Sequence, residues 1–139
     1  MLNLCIDEGI QEINLNGKVS VWLNLSDLNF IERFFDAFEQ MDKLNEKYRS
    51  ELDIKGNGEL FAIARQMDKD MKALIDRAFG SEISAPLFGD MNVYAIASGL
   101  PIWCNLMLAI IDEMNDNMTA QKKATNPKLQ KYIEKYQHK

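Results

Sequence analysis

Residues 12–25 read Glu-Ile-Asn-Leu-Asn-Gly-Lys-Val-Ser-Val-Trp-Leu-Asn-Leu, and this run constrains the fold more than any other part of the chain. Apolar side chains stand at Ile13, Leu15, Val19, Val21, Leu23 and Leu25, with polar residues at most even positions. A two-residue period of this kind belongs to strands with one covered face. Asn16-Gly17 sits at the centre, and both residues tolerate the positive φ of a type I′ turn. The run therefore predicts a β-hairpin over about residues 10–25. Trp22 is out of phase and belongs to the opposite face, where it either covers the sheet or serves a partner.

From Ser26 the rhythm changes. Leu28, Ile31, Phe34, Phe35, Phe38, Met41, Leu44, Tyr48 and Leu52 recur in steps of three or four, one face of a helix over about 27–52. Ser26 is the expected N-cap, and Asp27 favours the positive end of the helix dipole. Gly56-Asn57-Gly58 ends this helix. Leu60, Ile63, Met67, Met71, Leu74, Ile75 and Ala78 mark a second helix over about 58–79, with Gly80 as its left-handed stop. Residues 80–90 read as an irregular loop punctuated by Pro86 and Gly89. A third helical segment is expected over about 91–118, kinked or split at Pro101 because proline lacks a backbone donor and crowds the preceding turn. Pro127 can start a short helix bearing Leu129, Tyr132, Ile133 and Tyr136. The expected fold is mainly α (α+β): an N-terminal hairpin, three main helices and a short C-terminal helical tail. Residues 1–118 form one domain and 119–139 a basic tail.

Charge divides the chain at the same place. Residues 120–139 carry six lysines against Glu134 alone, whereas the rest has 20 acids and 10 bases. An acidic body repels nucleic acid and anionic membrane, so neither is an expected partner of the domain. The tail is a solvated end or binds an acidic surface; binding DNA through it is the less favoured reading. The first ten residues contain Asp7 and Glu8 and no basic segment, unlike a signal peptide. Met91–Ile111 has no charged residue, but its Asn92, Ser98, Gly99, Pro101 and Asn105 favour a buried segment over a membrane span.

The chemistry-bearing residues are sparse. Two cysteines, Cys5 and Cys104, and one histidine, His138, supply no zinc-ligand spacing. Asp53, Asn57 and Gly58 imitate an EF-hand start, but Lys55 stands at a ligand position and Ala64 replaces the bidentate glutamate. Neither form of phosphate-cradling glycine loop occurs. Cys104 lies in an apolar stretch without a neighbouring base, and the carboxylates read as solvated helix faces. No enzyme, metal or cofactor is expected. The aromatic and methionine residues of the first two helices, Phe34, Phe35, Phe38, Met41, Met67 and Met71, read first as core and second as a binding face, with the open edge of the hairpin as the other candidate contact surface. Flexible thioethers suit varied apolar partners and also fill ordinary interiors.

The order of features has a family look. A hairpin around Asn16-Gly17 leads into a charged helix from Ser26-Asp27, then a helix ending Arg77-Ala-Phe-Gly80, a loop with Leu87-Phe-Gly-Asp90, and a closing helix. This organisation, over roughly residues 10–117, resembles the tail assembly chaperones of siphophages and prophages of Gram-positive bacteria. Phe79, Gly80, Phe88, Gly89 and Asp90 carry the most specific part, in a structural role. Pro101 and the basic tail depart from the pattern. The resemblance implies a protein of the bacterial host cytoplasm that coats the apolar, helical tape measure protein and keeps it soluble until tail tube subunits polymerise. It implies the tape measure protein and possibly tube protein as partners, and possible self-association through the hairpin edge or tail. The alternative is a non-enzymatic helical adaptor or structural protein of a phage or other mobile element.

Overall fold

A computed structural model describes residues 1–54 and 57–123. The elements are β1 (Gln11–Leu15), β2 (Val19–Leu23), α1 (Leu28–Ile54), α2 (Asn57–Phe79), α3 (Ser84–Phe88), β3 (Ile96–Ala97), β4 (Leu100–Pro101) and α4 (Ile102–Lys123). The fold is mainly α with an N-terminal β-hairpin. The end of the first helix at Gly56 and the expected short helix after Pro127 lie outside the described residues, as does His138.

β1 and β2 pair antiparallel with Leu15 opposite Val19 and Glu12 opposite Trp22. Asn16 and Gly17 take φ of 55° and 71°, and the Lys18 amide closes the turn on the Leu15 carbonyl at 3.0 Å. Lys18 is thus a third loop residue. Val21, Leu23 and Leu25 are buried while Trp22 stands outward at 63% exposure. Asp27, not Ser26, caps α1: its Oδ1 accepts the Asn29 amide at 2.9 Å and its carbonyl accepts the Ile31 amide. Ser26 is held one step earlier, its amide and hydroxyl both bonded to Asn24 Oδ1.

α1 and α2 pack as an antiparallel pair, and their inner faces join the hairpin and α4 in one core. Phe34 lies at its centre, fully buried, with the rings of Phe30, Phe35, Phe38 and Phe79 at 5.5–6.4 Å, three of the four edge-on. Phe38 in turn meets Trp103 of α4 edge-on at 6.2 Å. Met41, Met71, Ile75, Met107 and Ile110 complete the interior. At the far end of α4, Gln11 Nε2 donates to Asn117 Oδ1, tying β1 to the helix.

Two expectations about the second half are corrected. Residues 80–90 are not wholly irregular, because α3 forms within them. Its first amides, at Ile83 and Ser84, both donate to Asp76 Oδ1 of α2, at 2.9 and 2.8 Å. Pro86 is tolerated because it falls in the first turn. The expected helix over 91–118 begins only at Ile102. Residues 91–101 form a turn and the small antiparallel β3–β4 pair, with Ser98 at φ 55°. Pro101 ends that pair, and the first amides of α4 find acceptors behind them: Ile102 on the Ala95 carbonyl and Trp103 on that of Val93. An uninterrupted helix would have left the i−4 bond of Pro101 unmade.

Candidate functional site

The six residues sought as a binding face do not form one. Phe34, Met41 and Met71 are fully buried and Met67 nearly so, while Phe38 is half-buried against Trp103. Phe35 alone presents a substantial surface, at 45% exposure. The physical reason is that these residues occupy the inner faces of α1 and α2, and pairing two amphipathic helices buries those faces against each other first. In this fold the aromatic–methionine face is core.

The pairing leaves a groove of about 650 Å³ beside it, lined by Gln40, Lys43, Leu44 and Lys47 of α1 and by Asp70, Ala73, Leu74 and Arg77 of α2. Each helix contributes positions i, i+3, i+4 and i+7, the row that a third helix or an apolar segment lies along. Leu44 and Leu74 are half-buried and pack on the core, and Ala73 is exposed, so the floor is apolar and low. Lys43, Lys47 and Arg77 form a basic rim. Lys43 Nζ is 3.3 Å from Glu39 in an exposed i,i+4 pair, an interaction of small weight. Arg77 Nη1 donates to Gln40 Oε1 at 3.1 Å, bridging the two helices, and Lys47 lies over the Tyr48 ring.

Asp70 is the one acid among the described residues lining the groove, and it is engaged: the Tyr48 hydroxyl donates to Oδ2, and Gln66 Nε2 donates to Oδ1 at 2.7 Å. Burial, with the Asp70 hydrogen bond and charge adding to it, pushes the Tyr48 phenol up to about 12. Nearby, burial raises the Tyr94 phenol further, and its hydroxyl has no hydrogen-bond partner among the described residues. Burial and the Asp42 charge also raise the Cys104 thiol, which keeps it protonated and a poor nucleophile near neutral pH. No group of three or more His, Cys, Asp or Glu side chains that could hold a metal converges among the described residues. No helix among them is long and apolar enough to cross a membrane. The groove offers apolar cover and positive charge, which suits binding.

The Phe79-Gly80 and Phe88-Gly89-Asp90 motifs lie away from this groove's lining. Phe79 is buried against Phe34. Gly80, at φ 67°, ends α2: its amide bonds the Arg77 carbonyl and the Ser81 amide bonds that of Asp76, the paired arrangement of a Schellman stop. Phe88 is half-buried, and Gly89 and Asp90 are exposed. The connection they belong to is held by a ladder on α2 at four-residue spacing. Ala64 accepts from Asn92, Asp68 from the Val93 amide, Lys72 donates to Gly89 and Asp76 receives α3. Asp68 and Asp76 are therefore structural acceptors, correcting their reading as solvated carboxylates.

The groove was missed in the sequence because Leu44 and Leu74 merge with the core stripe. The legible signal was the flanking bases Lys43, Lys47 and Arg77, placed beside apolar residues in an acidic body. No family model, curated protein or solved structure matches the chain.

Proposed function

We propose that this protein is a siphophage or prophage tail assembly chaperone, acting in the bacterial host cytoplasm, that receives apolar helical segments of the tape measure protein and releases them as tail tube subunits polymerise. The observation that carries the reading is the α1–α2 groove, with its two parallel rows of residues, apolar floor and basic rim. A helix presenting apolar residues at i, i+3, i+4 and i+7 fits such a floor, and repeated weak sites along a long client add through avidity. The order of elements, which resembles that of the chaperone family, supports the choice of client. An acidic exterior keeps a loaded complex apart from other complexes.

Co-expression with a tape measure fragment tests the proposal. The fragment is expected to stay in the soluble fraction and co-purify with the wild-type chain. Ala73→Glu, at an exposed helical position in the groove floor, is expected to send the fragment to the pellet while leaving the chaperone's own helicity unchanged. A fragment that is equally insoluble with and without the protein would overturn this function and favour the adaptor reading.

A further inference from the structure

We infer that residues 1–8 are an exchange arm that seats in the α1–α2 groove of a second copy of this chain. Residues 1–8 are all exposed, with Leu2, Leu4 and Ile6 at 89%, 81% and 77%. Alternation of these aliphatic residues with Asn3, Cys5 and Asp7 gives an extended segment one apolar edge. Such a row left open to water seeks cover.

Among the described residues, only the root of the arm has hydrogen-bond partners. Asn24 Nδ2 donates to the Glu8 carbonyl at 2.8 Å, and the Gly9 amide bonds Asp7 Oδ1. Gly9 takes φ 67°, which L side chains rarely adopt, and a Cβ there would stand 2.8 Å from Asn24 Nδ2, so glycine suits the point where the arm joins its anchor. The same Asn24 holds Ser26 at the entrance to α1, which gives the root a rigid base.

Charge, length and area favour the groove of a second copy as the seat. Residues 1–10 carry Asp7 and Glu8 and no Lys or Arg, whereas the groove is rimmed by Lys43, Lys47 and Arg77. Its Asp70 is occupied by Tyr48 and Gln66. From Leu2 to Ile6 an extended chain spans about 13 Å. The groove rows, eight residues of helix from Gln40 to Lys47, run about 10 Å. A reciprocal exchange places the eight arm residues and the eight lining residues of each copy in the contact, somewhat below the roughly 20–30 residues a side of a standard interface, which suits a concentration-dependent association.

The arm and a client helix would take turns in one groove, and because association is measured on the chain alone, failure of this inference is distinguishable from failure of the chaperone reading. Light scattering across a dilution series of the full chain is expected to give at least twice the 16.0 kDa chain mass at the concentrated end. Replacing Leu2, Leu4 and Ile6 together by Ser, all at exposed positions, is expected to return the 16.0 kDa species with unchanged far-ultraviolet circular dichroism. Lys43→Glu with Lys47→Glu is expected to weaken association roughly tenfold, and mixing that variant with Asp7→Lys, Glu8→Lys chains to restore it. A monomer at every concentration, including one whose arm covers its own groove, overturns the inference. So does association that survives the serine substitutions, or that ignores both charge reversals.

Discussion

At the scale of single residues, the side chains that hold the second half of the molecule are acids that a helical wheel assigns to solvent. Asp68 accepts the Val93 amide at 2.8 Å and pairs with Lys72 at 2.9 Å, both side chains less than one-fifth exposed. Asp68→Asn leaves Lys72 half-buried without its charge partner, and is expected to cost about 2–3 kcal/mol in urea unfolding. Asp76→Ala strips the acceptor from two amides at the start of α3 and is expected to cost about 2 kcal/mol by the same measurement. Tyr48 adds a pH dependence of definite sign. Its phenol titrates near 12 when folded against about 10 when unfolded, so the folded state retains a proton that the unfolded chain gives up. The resulting stabilisation is complete below pH 10 and is lost as pH climbs toward 12. Stability is expected to fall across that window, and the fall to be shallower in Tyr48→Phe.

At the scale of elements, the hairpin and the first two helices were legible because each has one dominant period. Alternation around Asn16-Gly17 fixed β1 and β2, and the three-to-four spacing from Leu28 fixed α1 and α2 to within one or two residues at each end. Leu23 and Trp22 lie on opposite faces of β2, which makes the register testable. Leu23→Ala is expected to lower stability by about 2–4 kcal/mol, and Trp22→Ala to stay within about 0.5 kcal/mol, by chemical denaturation. The stretch from Ser81 to Pro101 was not legible, since its order comes from distant partners. α3 is held because Asp76, on another helix, receives its amides, and the β3–β4 turn brings the Val93 and Ala95 carbonyls to the first amides of α4. Local periodicity carries no trace of such bonds. The groove was hidden for a related reason: Leu44 and Leu74 belong to the same apolar stripes as the buried positions, and only pairing α1 with α2 separates floor from core.

At the scale of the whole molecule, Phe34 joins α1 to α2 and, through Phe38, to α4, so the described helices share one core. Phe34→Ala is expected to lower stability by about 3–5 kcal/mol, read as a drop in the urea midpoint of circular dichroism and fluorescence together. The interior is also rich in sulfur. Met41, Met71 and Met107 are fully shielded, Met67 and Met114 nearly so, while Met1, Met91 and Met118 face solvent. Dilute peroxide therefore reaches the outer three in the native state and the inner five only when the fold opens. A sulfoxide formed on an inner thioether is polar and bulkier than the site admits, so that molecule closes poorly and exposes its remaining sulfurs. Oxidative damage to this protein should thus come in two phases, the three outer sites filling one by one in native molecules and the inner five following together in molecules that have opened.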